Sequence, residues 1–294
     1  MSDTVYQIIT DKIVAMLKDG VAPWHRPWNS GNAPRSITGH VYTGINVFLL
    51  LAAGFESPYW ITFNQVNQRG GRIKDAERKR YTVIVFWKII EVKDKETGDK
   101  KKVPFLRYFK VWNLDQVDGV KPPKEKKATP PPRFEDRHKV AKSIVDNYPN
   151  PPKIRRTGDQ AFYQPMLDVV TVPPVKSFHS ADEYYSTLFH ELGHSTAHES
   201  RLDRDVSYVF GSHSYGREEL VAEMTSAFLA AESGITLTIN NSAAYLNSWM
   251  RTIQEDVRAV VVAATRAQKA ADFILGRYVP AEENSDDVAK QAVA

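Results

Sequence analysis

Residues 121–136 read KPPKEKKATPPPRFED, and no other stretch limits the fold so strongly. Proline removes backbone donors and fixes φ, so this stretch continues neither a helix nor a sheet. Its lysines leave it almost nothing to bury. One core cannot close across such a segment. The sequence therefore predicts two domains, residues 1–120 and 136–280, with a Pro/Lys-rich linker at 121–135 and a flexible tail at 281–294. Each part is of ordinary domain size.

Composition supports two folded parts. Of 294 residues 42% are apolar, enough for buried cores. No apolar run approaches the roughly 20 residues that span a bilayer, so no membrane partner is expected. The N-terminal stretch MSDTVYQIITDKIVAML lacks the charge and cleavage pattern of a secretion signal. It reads as an amphipathic helix, capped by Asp3 and ended by Gly20. Cysteine is absent, which fits a cytoplasmic protein and leaves only histidines and carboxylates to hold a metal. The net charge is +4. It is uneven, since Lys and Arg crowd the span from Arg69 to Arg133, whereas Ser180 to Glu232 is rich in Glu and His. A polyanion-binding first half and a different task for the second follow from that asymmetry.

The elements of the first half are mixed. After the opening helix come a helix around Val47–Ala53 and a short strand or helix in YWITFNQVNQ, ended by Gly70 and Gly71. The runs RYTVIVFWKIIEVKD and KKVPFLRYFKVWNLDQV predict a hairpin. The second half is mainly helical, with a strand pair, or an edge strand ended by prolines, in AFYQPMLDVVTVPP. The fold class is thus α+β: a mixed domain followed by a helical domain with a small sheet.

The second half carries SADEYYSTLFHELGHSTAHES, read as one helix with a capping box of Ser180 and Glu183. His190 and His194 stand four apart, on one face and roughly 6 Å apart along the axis. Both imidazoles can reach one zinc ion, with Mn2+ or another divalent ion as the alternative. Glu191, between them, is placed as the general base of a hydrolysis. A surface helix with scattered polar residues is the plainer reading. The cap, the apolar Leu188, Phe189 and Leu192, and a glycine at 193 that admits a neighbouring element all weigh against it. His198, roughly 12 Å further along the axis from His190, is not a ligand of the same ion. A catalytic site needs a third protein ligand. REELVAE supplies Glu219, with Glu223 behind it as support for a histidine. Glu223 as ligand is the alternative. Glu218 is turned away by about 100°. Tyr208, His213 or Tyr215 can serve an oxyanion, and the strand around Leu167–Val172 can offer an edge to a peptide or protein substrate.

HELGH followed by a helix with two carboxylates four apart resembles the gluzincin metallopeptidases. The longer series HELGHSTAHESRLDRD, YGREELVAEMTSAFLAAE, AAYLNSWMRTIQED and AFYQPMLDVVTVPP resembles the metallopeptidase domain of ArdC-type antirestriction proteins. PWHRPW, YTGIN, YWITFNQ, GGRIK and VIVFWK resemble the single-stranded-DNA-binding domain that precedes it. The loop after GGRIK departs from that pattern, reading DAERKR, and stays basic. The resemblance implies a protein of plasmids or other mobile elements that binds single-stranded DNA and shields incoming DNA during conjugation. It leaves oligomeric state open.

Single-strand binders pair a positive track with aromatic platforms. On that pattern Trp24, Tyr42 and Trp60 are candidate platforms. Arg26, Lys74, Arg78, Lys79 and Arg80 are candidate phosphate contacts, and Asn46 is a candidate hydrogen-bonding group. Trp87 and Trp112, inside strand-like runs, are assigned to the core. Three classes of function remain: a DNA-protecting protein with an active peptidase, the same protein with a structural or regulatory metal, and a peptidase localised by its basic domain.

Overall fold

The computed structural model describes residues 2–25, 28, 30–93, 100–123, 133–205, 213–237 and 243–279. In chain order the elements are α1 (Ser2–Lys18), β1 (Arg35–Ser36), α2 (Ile45–Ala52), β2 (Tyr59–Thr62), α3 (Phe63–Gln68), β3 (Arg72–Ile73), β4 (Thr82–Lys93), β5 (Lys100–Asn113) and β6 (Val117–Asp118). They continue with α4 (Arg137–Asp146), β7 (Lys153–Arg156), β8 (Phe162–Gln164), β9 (Val169–Val172), α5 (Ala181–Ser195), α6 (His213–Ser233), α7 (Ala243–Glu255) and α8 (Ala259–Ile274). Two compact units result. The described residues of the first are 2–9, 33–93, 100–123 and 279; those of the second are 10–25, 28, 30–32, 133–205, 213–237 and 243–278. Within the stretch expected as the first domain, Thr10–Asn32 packs with the second unit. Ile13, Val14 and Leu17 are buried, and Thr10 Oγ1 donates to the Val257 carbonyl at 2.8 Å. Helix α1 already includes Asp3 rather than starting after it, and Gly20 follows its end with φ 76°. Most of the linker, 124–132, and the tail, 280–294, lie outside the described residues.

The first unit is built on a four-stranded sheet in the order β1-β2-β5-β4. The expected hairpin is its long arm, with β4 and β5 antiparallel from Thr82↔Val111 to Lys93↔Lys100. Side chains alternate between the faces of a strand, so adjacent residues of β5 enter different cores. Val111 joins Tyr42, Leu50, Trp60 and Ile84. Trp112 joins Ile37, Tyr59, Ile61, Val66, Ile73 and Val117. YWITFNQ divides into strand and helix at Thr62, whose hydroxyl caps α3 while Gln65 reaches back to the Thr62 N–H. Gly70, at φ 70°, turns the chain. At Gly71 a Cβ would meet the Val120 side chain at 2.4 Å and the Asp118 carbonyl at 2.8 Å, so only glycine lets these segments close.

In the second unit β9 is the central strand of three, parallel to β7 and antiparallel to β8. Its four residues are all buried. The strand over Leu167–Val172 therefore offers no free edge, which corrects that expectation. Among the described residues the outer strands of this sheet are β7 and β8. The strand pair β8–β9 was legible; β7, from KIRR, was not.

Helix α5 starts as expected. Ser180 accepts from the Glu183 N–H at 3.1 Å, although the Glu183 carboxylate accepts from the His179 N–H rather than that of Ser180. The helix ends at Ser195, not near Ser200. The Thr196 hydroxyl donates to the Gly193 carbonyl and Arg201 Nε to that of Ser195, satisfying carbonyls at its end. His198 thus lies in the following turn, with Nδ1 2.8 Å from Ser200 Oγ. Helices α5 and α6 touch backbone to backbone: a Cβ at position 193 would lie 3.0 Å from Ala222 Cα and 3.2 Å from Thr225 Cβ. Ser226 Oγ donates across this contact to the Ser186 carbonyl at 3.0 Å. On α8, Ala263, Ala264, Ala267, Ala270 and Ala271 are all buried, and small side chains of this kind let helices pack closely. Among the described residues no helix is long and apolar enough to cross a membrane.

Candidate metal centre

The close approach of α5 to α6 sets the site. Tyr184, Leu188 and Leu192 recur at one-turn intervals and are buried with Phe189. His190 and His194 therefore lie toward the other side of the helix, facing α6. Their Nε2 atoms stand 3.1 Å apart. Glu219 Oε2 is 3.5 Å from His190 Nε2, and Oε1 is 3.4 Å from His194 Nε2. Two imidazoles and one carboxylate thus present donor atoms to a common point. An ion with bonds of about 2.0–2.1 Å in tetrahedral array needs donor separations of about 3.4 Å, so the residues present fit a divalent ion.

Each histidine has a buried carboxylate behind it. His190 Nδ1 lies 3.7 Å from Glu223 Oε1, and His194 Nδ1 lies 3.6 Å from Glu218 Oε1. Glu218 and Glu223 are each 4% exposed. Such outer partners select the Nδ1–H tautomer and aim Nε2 at the ion. Glu218 is held in turn by the Arg204 guanidinium, whose Nη1 also donates to Thr196 Oγ1 at 2.6 Å. Arg204 thereby links α6 to the end of α5.

Charge in this cluster is strongly coupled. Burial opposes an imidazolium at position 194, but the carboxylates of Glu218 and Glu219 outweigh it and push the pKa up to about 10. His190 is raised in the same way, burial being overcome by Glu219 and Glu223. Glu219 is held well below the usual carboxylate range: burial pulls the other way, and the two histidines prevail. Glu191 is buried and adds negative potential at both imidazoles. In the metal-free protein these carboxylates favour an imidazolium at His194, a positive charge where an ion would sit. Metal binding must expel its proton, so affinity rises with pH. Calorimetry at pH 7 in buffers of differing ionisation enthalpy is expected to show release of about one proton per ion bound. Buffer-independent heats would contradict this charge state.

The structure therefore gathers His190, His194 and Glu219, with Glu191 alongside and Glu223 behind. Glu223 does not reach the common point. Glu218 and Arg204 were missed. A sequence can show Glu218, Glu219 and Glu223 within two turns of α6, but not which histidine each one faces. Tyr208 and the side chains of His213 and Tyr215 lie outside the described residues.

The aromatic platforms expected in the first half are corrected by burial. Trp24 is 0% exposed and sits edge-on to Trp249 in the second unit, ring centroids 5.4 Å apart. Tyr42 and Trp60 belong to the core of the first unit. A ring enclosed on both faces has none left for a base. The Asn46 amide is also occupied: Nδ2 donates to the Val85 carbonyl at 2.7 Å, and Oδ1 accepts from the Val85 N–H at 2.8 Å. It fastens α2 to the edge strand β4. Arg26 lies outside the described residues. Lys74, Arg78, Lys79 and Arg80 are all exposed. Arg78 and Arg80 make surface pairs with Asp75 and Glu77. Such pairs are worth about 1 kcal/mol or less and exchange readily.

Other aromatics do reach the surface of this unit. Phe63 is 54% exposed, Tyr108 44% and Tyr81 36%. Phe63 and Tyr81 flank Trp112 at 6.4 and 6.0 Å, and Lys110 Nζ lies 4.2 Å from the Tyr81 ring centre. Trp112 donates to the Glu77 carbonyl at 3.1 Å, beside the basic turn. Alternation along β5 puts Tyr108, Lys110 and Trp112 on one face, a signal present in the sequence but masked by the prominence of the tryptophans.

Comparison with known proteins agrees with both halves. Residues 3–112 match the family model of the N-terminal domain of the anti-restriction factor ArdC, and residues 144–266 match that of a zincin-like metallopeptidase. Two Escherichia coli proteins named DNA primase TraC are 36% and 33% identical over 92% of this chain, which spans only 27% and 20% of their length. An uncharacterized Sinorhizobium fredii protein, y4eC, is 31% identical, with 95% of this chain and 94% of that protein covered. Crystal structures of antirestriction protein ArdC from plasmid R388, metal-free and Mn(II)-bound, superpose with TM-scores of 0.73. They are 36% and 35% identical and cover 93% and 92% of this chain and 98% and 97% of theirs. With a helix pair that converges two histidines and a glutamate, and with both domains matched in order, this chain belongs to the ArdC family of antirestriction proteins.

Proposed function

We propose that this chain protects transferred DNA from restriction in the cytoplasm, binding single strands through its first unit and holding one divalent ion in its second. His190, His194 and Glu219 are the ligands, and zinc is the preferred ion, since two imidazoles and a carboxylate with an open position form a hydrolytic zinc set. The carrying observation is the convergence of both Nε2 atoms and the Glu219 carboxylate within 3.1–3.5 Å. Bound there, the ion supplies Lewis acidity toward a peptide carbonyl and makes water a stronger acid. Glu191 accepts the proton in that hydrolysis. Glu218 and Glu223 keep the histidines oriented.

The DNA half of the reading is supported by the surface of Phe63, Tyr81, Tyr108 and Lys110 beside the Lys74–Arg80 turn. Exposed rings stack with bases of any sequence, while cations follow the phosphates. Fluorescence anisotropy with labelled oligo-dT and an equal-length duplex, over a salt series, tests it. Strand-selective binding that weakens with salt is expected. Phe63→Ala and Tyr81→Ala should each lower single-strand affinity about 5–20-fold. Equal affinity for the two forms removes the single-strand reading, and affinity unchanged in both variants removes this surface from it. Glu191→Gln should retain the ion and lose any peptide turnover. Protection that survives this change makes hydrolysis dispensable.

A further inference from the structure

Glu223 faces two imidazoles. Its Oε1 lies toward His190 Nδ1, and its Oε2 is 3.6 Å from Nε2 of His25. His25 ends a single 3-10 turn, Pro23–His25, within the PWHRPW stretch. By sequence this stretch falls inside the N-terminal family match, yet it packs in the second unit. The side chains of His25 and Glu223 are 8% and 5% exposed. The turn is anchored by Trp24 and by the edge-on contact of the His25 ring with Trp249 of α7, centroids 5.4 Å apart. Glu223 Oε2 is buried and makes no hydrogen bond among the described residues. A buried carboxylate needs a compensating group nearby, and the His25 imidazole is the group facing that oxygen.

We propose that His25 is a positioning residue of the metal centre. Acting through Glu223, it holds the carboxylate against His190 Nδ1 and so keeps His190 Nε2 aimed at the ion. The 10–32 segment then belongs to the metal site as well as to the chain's N-terminal half. This inference rests on His190, His194 and Glu219 being the ligands.

The test uses the full chain and three variants. His25→Gln keeps an N–H donor near the position of Nε2. His25→Phe keeps the ring against Trp249 and has no donor. His194→Ala reports on the ligand assignment itself. Zinc affinity is measured by chelator competition, Co(II) loading by its d–d absorption, and folding by metal-free thermal denaturation. His25→Phe should bind zinc about 10–100-fold more weakly and alter the Co(II) spectrum, as loss of an outer partner does. His25→Gln should recover most of that loss, with metal-free melting similar in the two variants. Wild-type affinity and spectrum in His25→Phe would overturn the proposal. So would equal losses in the Gln and Phe variants, since packing alone would then account for them. If His194→Ala binds zinc normally, the ligand assignment fails instead, which is a distinct outcome.

Discussion

Glu219→Ala is expected to lower zinc affinity on the order of 1000-fold, whereas Glu218→Gln should lower it only about 10–100-fold. The two residues are neighbours in sequence and both face histidines, so the comparison isolates geometry. Glu219 puts one oxygen near each Nε2, at 3.5 and 3.4 Å. Its loss removes a donor from the ion. Glu218 faces Nδ1 of His194 and reaches the ion only through the orientation of that ring. A second readout separates them further. Glu219 favours protonation of both histidines. Without it, fewer protons are bound in the metal-free protein, and metal binding should release fewer. Chelator competition and calorimetry check both statements. Equal losses in the two variants, or the larger loss at Glu218, would reassign the ligand.

Arg204→Met should cost the second unit about 3–5 kcal/mol, because it strands a buried charge. Arg204 grips Glu218 with Nη2 and with Nε at 3.3 Å, and the two side chains are only 6% and 4% exposed. The guanidinium also donates to the Gly193 carbonyl at 3.2 Å. Methionine keeps much of the volume and removes every donor. Among the described residues Glu218 then has His194 to offset its charge. The double variant Arg204→Met/Glu218→Gln should recover much of the loss, since the uncompensated carboxylate is its source. Denaturant unfolding of metal-free protein, read on the transition of the second unit, measures all three. A loss below about 1 kcal/mol in the single variant would mean that the pair behaves as a surface pair.

What was legible in the sequence is local. The spacing of His190 and His194 fixes a common helix face whatever surrounds it. The Ser180 cap, the β4–β5 hairpin and the Thr62 start of α3 follow from turn and capping chemistry within a few residues. The place of Glu219 beside the two histidines was within reach because a metal site calls for a third donor and α6 offers few carboxylates. The N-terminal candidates fared differently. A tryptophan in a turn-rich stretch is equally suited to a core and to a base platform, and its residue type does not separate the two. Trp24, Tyr42 and Trp60 are enclosed, while Phe63, Tyr81 and Tyr108 are the exposed rings among the described residues of the first unit.

The sequence by itself determined the α+β class and the paired histidines with Glu191 between them. Each of these depends on backbone periodicity. The tertiary structure alone decided that Thr10–Asn32 packs with the second unit, that Glu218 serves His194, that Glu223 lies between His190 and His25, and that Asn46 is used up on β4. These are contacts between residues distant along the chain. They are set by which surfaces remain to be buried once the local elements have formed, and no local pattern encodes that choice.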